Sequence, residues 1–190
     1  MRRTASVATV VLVVAGIVAL GVWLWPSIQH AIAPQNGGAS APKIPPRPAD
    51  AFPLTVRYVY DGDTIQAEMQ HPNAIVTTSG PIRIRLIGVN TPEGTPTPEC
   101  WADEARQHLS ALLPEGSTVW AAPDRDTWDD YGRRLFNLWT ADGRFVEHEL
   151  VATGAAEAIR IRPNVAYYDL LTATQAAAQA ESRGQWGACP

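Results

Sequence analysis

Residues 5–25 carry no charged side chain, and only Ser6 and Thr9 among them are polar. As a helix this stretch would rise about 31 Å, roughly the hydrocarbon thickness of a bilayer. It is therefore expected to cross a membrane and not to join a globular core. Arg2 and Arg3 precede it, no further charge appears before Lys43, and Trp23 and Trp25 fall at its far end. Positive charge stays on the cytoplasmic side and aromatic rings favour the interface. The expectation is a single-pass anchor through residues 5–25, with the N-terminus cytoplasmic and everything after Pro26 outside. The competing reading is a cleaved signal peptide that releases the body. Its apolar region would be unusually long, and Ala31-Ile32-Ala33 and Ala39-Ser40-Ala41 are each followed by proline, a poor setting for cleavage.

Prolines 26, 34, 42, 45, 46, 48 and 53, with Gly37, Gly38 and Ser40 among them, make residues 26–53 an expected extended extracytoplasmic linker. The remaining residues, 54–190, suffice for one compact domain. From Ala51 onward there are 11 Arg, no Lys and 18 Asp+Glu, a formal charge of 11 − 18 = −7. Such a body cannot hold nucleic acid by bulk charge; a polyanionic partner would need a few placed arginines or a metal. Two cysteines are too few for a disulfide-dense scaffold or a four-thiolate zinc site. The histidines at 30, 71, 108 and 148 show no metal-ligand spacing.

The body reads as α+β, mainly β. Leu54, Val56, Tyr58 and Tyr60 alternate along one strand, and Thr64–Gln70 returns after an Asp61-Gly62 turn. Ile82, Ile84 and Leu86 give a third strand one apolar face, and Ser117–Ala122 and Arg134–Thr140 supply two more. Thr97-Pro98 is a good helix start, followed by the stripe Ala102, Ala105, Leu109, Leu112, Leu113. Val146–Thr153 and Tyr167–Ser182 are two further helices, closed by Gly154 and Gly184. Five strands with a helix after the third match a five-stranded OB-fold barrel with three helices. Tyr58, Tyr60, Trp120 and Trp139 are expected in the barrel core or wall and not as a base-stacking platform, although OB-folds do stack bases on such rings. Asp124, Asp126, Asp129 and Asp130 read as a solvated acidic loop, without the spacing of an EF-hand.

Three polar clusters stand where such a barrel exposes them: Asp61-Gly62-Asp63-Thr64; Arg85 with Asn90-Thr91-Pro92-Glu93; and Tyr131-Gly132-Arg133. Each alone has an ordinary structural reading as a turn, a loop exit or the start of a strand. Together, and with Asp142-Gly143, Leu150–Ala155 and Trp186, they resemble the staphylococcal (micrococcal) nuclease, or thermonuclease, family over nearly all of residues 54–187. The resemblance implies the OB-fold and calcium-dependent hydrolysis of phosphodiesters in DNA and RNA by an exported enzyme, leaving 3′-phosphate products.

By that resemblance Asp63 is the Ca²⁺ carboxylate and Thr91 a ligand through its backbone carbonyl. Asn90 falls where the family prototype has a second calcium-binding Asp, which implies weaker Ca²⁺ binding; an amide oxygen is still a competent ligand. Glu93 corresponds to the residue that orients or deprotonates water, Arg85 and Arg133 to the phosphate clamps, and Asp61 to an acidic neighbour that tunes the metal site. Ile159 and Ile161 replace nucleotide-contacting tyrosines, so base preference does not carry over; Arg160 and Arg162 are either backbone contacts or a solvated pair.

The chemistry can be rebuilt from the residues. Phosphodiester hydrolysis gathers charge on phosphate oxygens, so it needs fixed cations there and a base for water. Hard oxygen donors suit Ca²⁺, and guanidinium forks match phosphate as Lys does not. Cys100 and Cys189 could form a disulfide on the oxidising side of a membrane or remain two free thiols. The expected protein is a membrane-tethered nuclease acting on DNA and RNA, a monomer without a protein partner. The alternative is a non-catalytic OB-fold module that binds nucleic acid or protein, which would not need Asp63, Arg85, Thr91, Glu93 and Arg133 together.

Overall fold

The computed structural model describes residues 43–190. The anchor expected over residues 5–25, and the linker as far as residue 42, lie outside the described residues. The elements run, in chain order, β1 (Phe52–Val59), β2 (Thr64–Glu68), β3 (Ile82–Leu86), β4 (Val89–Asn90), α1 (Ala102–Leu112), β5 (Thr118–Ala122), β6 (Arg134–Thr140), α2 (Val146–Ala152), β7 (Glu157–Ala158), α3 (Tyr168–Ala180) and the single turn α4 (Gln185–Ala188). Five strands close a barrel in the order β1-β2-β3-β6-β5, with β5 returning to β1. All neighbours are antiparallel except β3 and β6. β4 and β7 form a separate two-stranded ladder, Val89 opposite Ala158. Elements of two to four residues are too short to show a hydrophobic period, so β4, β7 and α4 were not visible in the sequence.

The barrel interior is filled by Val56, Ile65, Ile84, Leu86, Phe136 and Leu138, while Leu109, Leu150 and Val151 cover it from α1 and α2. Trp139 stacks on Phe145 at 4.9 Å and is fully buried. β1 departs from simple alternation. Val56 pairs with Ala67 but Tyr58 pairs with Gln66, so Arg57 is an extra, bulged residue. A bulge shifts the side-chain parity of everything beyond it. Val59 therefore points inward, and Tyr58 and Tyr60, expected with Leu54 and Val56 on the core face, stand on the outer face.

Two further differences follow from local contacts. The proline-rich stretch from Pro45 lies against the barrel: the Trp139 indole N–H reaches the Pro45 carbonyl at 3.4 Å, and the Arg47 guanidinium sits 3.9 Å over the half-buried Trp120 ring. Helix α1 begins at Ala102, not at Thr97-Pro98. The Glu99 N–H donates to the Glu93 carbonyl, and Trp101 is left-handed (φ 76°), which ends one turn before the helix can begin. Cys100, just ahead of Trp101, is joined to Cys189 across a separation of 89 residues. In the chain-entropy treatment, closing a loop of that size contributes about 4–5 kcal/mol.

Glu147, near the start of α2, is fully buried, and both its carboxylate oxygens accept from the Leu138 N–H at 3.1 and 3.2 Å. Burial raises its pKa well above the ordinary carboxylate value; the α2 backbone N–H, the Leu138 N–H and the Arg85 charge oppose this only in part. A raised folded pKa stabilises the protein at low pH, and that contribution is lost as pH rises through it. Glu147→Gln, which keeps the shape without the charge, should raise the melting temperature at pH 8 more than at pH 5. An equal change at both pH values would contradict this.

Candidate active site

Strand register assembles the polar clusters at one end of the barrel. Thr64 and Arg85 are cross-strand partners in β2 and β3, so the Arg85 side chain reaches back to Asp63, the residue just ahead of β2. Arg85 Nη2 lies 2.9 Å from Asp63 Oδ2 and 3.1 Å from Asn90 Oδ1, where it donates, while Nη1 donates to the Leu86 and Val89 carbonyls at 2.8 and 2.7 Å. Asp63 Oδ2 also accepts from the Thr91 N–H at 3.0 Å and the Thr91 hydroxyl at 3.2 Å, and Oδ1 accepts from the Thr64 hydroxyl at 3.0 Å. Asp63 is thus buried (3% exposed) but fully engaged. Burial pushes its carboxyl up to about 6; the Arg85 charge pulls against this, and the Asp61 charge adds to it.

Asp61 caps the turn, its Oδ1 accepting from the Asp63 N–H at 3.1 Å. Gly62, between them, is required by space. A Cβ there would sit 2.7 Å from Thr91 Cγ2 and 2.8 Å from Ala105 Cβ, so the turn, the Thr91 loop and α1 can meet only at a glycine. Glu93 lies on the exposed loop that follows. That loop is closed by two bonds, Glu93 N–H to Glu99 Oε2 at 2.8 Å and Glu99 N–H to the Glu93 carbonyl at 2.9 Å. The Glu93 carboxylate itself takes no hydrogen-bond partner among the described residues.

Arg133 precedes β6, which runs parallel to β3 with Ile84 beside Arg134. The structure shows a residue the sequence reading missed. Asp129, read as part of a solvated acidic loop, accepts from the Tyr131 N–H (3.0 Å) and Arg133 N–H (2.8 Å) through Oδ1, and from Arg133 Nε through Oδ2 (2.6 Å). It fixes the guanidinium from behind and leaves both terminal nitrogens without a partner among the described residues. The signal was local: an Asp four residues before an Arg, with a Tyr-Gly turn between. Asp124 likewise has a structural role, accepting from the Ala166 N–H at 3.0 Å.

Asp61, Thr64, Glu93 and Arg133 line one open cleft of about 410 Å³, and Arg85 lies in the field of Asp63, Arg133, Asp61 and Glu93. The seven residues singled out at the three clusters are therefore brought to one place: Asp61, Asp63, Arg85, Asn90, Thr91, Glu93 and Arg133. Cys100 and Cys189 lie beside Asn90 and Thr91, behind the cleft. Arg160 packs its guanidinium 5.4 Å from the Tyr168 ring, and Ile161 is exposed. Among the described residues no group of three or more His, Cys, Asp or Glu side chains clusters as a metal site. The oxygens that do converge are the Asp63 carboxylate and the Asn90 amide, which meet on Arg85 Nη2, while Thr91 turns its N–H and hydroxyl to Asp63. Such a set suits a hard cation, not a thiophilic one.

The site is thus a small closed barrel that carries a buried carboxylate, two guanidinium groups and a free carboxylate at one end. Residues 83–188 match the family described as staphylococcal nuclease homologue, and the chain belongs to that family. It is 32% identical over 152 residues to endonuclease YhcR of Bacillus subtilis (strain 168), a match covering 75% of this chain and 12% of that much longer protein. It is also 32% identical over 133 residues to the thermonuclease of Staphylococcus intermedius, covering 69% of this chain and 74% of that one.

The close approach at Gly62 gives a direct check. Gly62→Ala should destabilise the protein by about 1–3 kcal/mol through overpacking. Gly94→Ala, where an added Cβ meets nothing within 4 Å, should leave the melting temperature unchanged. Equal effects of the two substitutions would show that the turn does not depend on that contact.

Proposed function

We propose that this protein is a calcium-dependent nuclease that hydrolyses phosphodiester bonds of DNA and RNA on the outer side of a membrane. The observation that carries the reading is the pair of free groups on one cleft: the unpartnered Glu93 carboxylate and the two unpartnered terminal nitrogens of Arg133. A module that only bound nucleic acid would have no use for an unpaired carboxylate facing a polyanion.

Asp63, Asn90 and the Thr91 carbonyl would hold the cation, with Asp61 adding negative charge beside them. Bound there, Ca²⁺ supplies positive charge against the phosphate oxygens and a place for water. Arg133 donates a paired, fork-shaped contact to the phosphate, held on target by Asp129. Arg85 contributes its charge, and its Nη groups keep Asp63 and Asn90 in place. Glu93 takes up or orients the proton of the attacking water, and it can do so because its carboxylate is exposed and free. The family resemblance supports 3′-phosphate products. Anchoring by residues 5–25, with the nuclease domain outside, rests on their uncharged length and the flanking arginines.

The test is cleavage of denatured DNA and of RNA by the full chain, with millimolar Ca²⁺ and with chelator. Activity should require the cation, fall about 10²–10⁴-fold in Glu93→Gln, and fall about 10²–10³-fold in Arg133→Gln. Asn90→Asp should lower the Ca²⁺ concentration needed for half-maximal activity. Cleavage that persists in chelator, or that survives Glu93→Gln undiminished, would refute the reading.

A further inference from the structure

On the cleft's outer rim lies a second set of residues that the catalytic reading does not use. The bulge at Arg57 turns Tyr58 and Tyr60 outward, where their rings meet edge to face at 5.0 Å. Arg83, exposed on β3, lays its guanidinium 4.1 Å from the centre of the Tyr60 ring. Arg106, exposed on α1, reaches across from the other side: Nε donates to the Val59 carbonyl at 3.2 Å, Nη2 donates to the Tyr58 hydroxyl at 3.3 Å, and its charge sits 5.7 Å from that ring. Gln66 Nε2 donates to the Tyr60 hydroxyl at 3.2 Å and holds that ring in place.

Two properties separate this set from ordinary surface. Neither Arg83 nor Arg106 has a carboxylate partner within ion-pair distance among the described residues, in a body with 18 acidic side chains against 11 arginines from Ala51 onward. Arg57, Arg85, Arg133, Arg144 and Arg183 are paired with carboxylates; Arg47, Arg125, Arg134, Arg160 and Arg162 are not, among the described residues, but none of these five lines the cleft. The set is also continuous with the cleft, since Tyr60, Arg83 and Arg106 line it together with Glu93 and Arg133. Where net charge is repulsive, unpaired cations laid on the exposed Tyr58 and half-buried Tyr60 rings are a place for phosphates and flat aromatic faces to be taken together.

We propose that Tyr58, Tyr60, Arg83 and Arg106 form a strand-binding subsite that holds single-stranded nucleic acid next to the reacting phosphodiester. The two arginines take flanking phosphates, and the Tyr–Arg stack takes an unpaired base. A duplex keeps its base faces stacked inside and cannot use the rings, so the subsite selects single strands. This rests on the nuclease reading for its place beside the reacting bond, but binding tests it independently.

The experiment compares the full chain with Arg83→Gln/Arg106→Gln and Tyr58→Leu/Tyr60→Leu on a single-stranded 12-mer, a duplex of the same sequence and a dinucleotide. Both double variants should raise KM on the 12-mer at least about tenfold more than on the dinucleotide, with kcat on the 12-mer within about twofold. In fluorescence anisotropy, the arginine variant should flatten the salt dependence of 12-mer binding by about 1.4 in log–log slope, two contacts at about 0.7 each. Arg83→Lys/Arg106→Lys should restore the slope, which a folding defect would not do. Losses shared equally by 12-mer and dinucleotide, an unchanged slope, or tighter binding of duplex than of single strand would each overturn the proposal. If the unsubstituted chain binds the 12-mer through these residues but cleaves nothing, the subsite stands and the nuclease reading falls.

Discussion

The buried contact between Asp63 and Arg85 ties the rest of the active end together. It joins the start of β2 to β3, and the same Asp63 oxygen reaches the Thr91 loop beyond β4. A buried ion pair contributes little net stability, because desolvation offsets much of the attraction; removing one partner, however, leaves a costly bare charge. The pair is better understood as a device for position. It fixes one carboxylate, one guanidinium and one loop relative to each other, and Gly62 brings them close to α1. The remaining cost shows in the Asp63 carboxyl, which burial pushes up to about 6 although the Arg85 charge and the Thr91 and Thr64 hydrogen bonds pull it down.

Charge is arranged by pairing and not by sum. The body is acidic from Ala51 onward, yet its cleft carries arginines. Asp129 neutralises Arg133 from the rear while leaving its outer nitrogens to act, whereas Asp63 pairs with a terminal nitrogen of Arg85, whose other contacts are also within the protein. Among the described residues that line the cleft, Arg83 and Arg106 are the arginines without a carboxylate partner, each held on a tyrosine ring. A few oriented guanidinium groups can thus do locally what a basic surface does broadly.

Much of this was legible in the sequence where a repeated pattern carried it. The five barrel strands and three helices follow from alternation and from apolar stripes, and the strand ends then dictate where the Asp61, Thr91 and Arg133 clusters fall. What stayed hidden depends on single residues acting at a distance. The extra residue at Arg57 inverts the parity of β1, and no local pattern marks it, so the alternation that begins at Leu54 and Val56 does not show that Tyr58 and Tyr60 face outward. The start of α1 was misplaced because a left-handed Trp101 and a bond from Glu99 to Glu93 outweigh a good capping sequence. Asp129 looked like one more solvated acid until β3 and β6, paired in parallel, set Arg133 beside the cleft. Glu147 was invisible as a site feature because a helix face gives no sign that one of its acids is sealed behind β6.

The claim on which everything above depends is that Asp63 is the carboxylate around which a cation site is built. Calorimetric titration of Ca²⁺ into the full chain and into Asp63→Asn, with circular dichroism to confirm that both are folded, tests it directly. The unsubstituted protein should bind one Ca²⁺, and Asp63→Asn should bind it at least about tenfold more weakly, the loss expected when a hard cation exchanges a carboxylate for an amide. Equal binding by the two folded proteins would contradict the account and move the metal, and with it the chemistry, away from this end of the barrel.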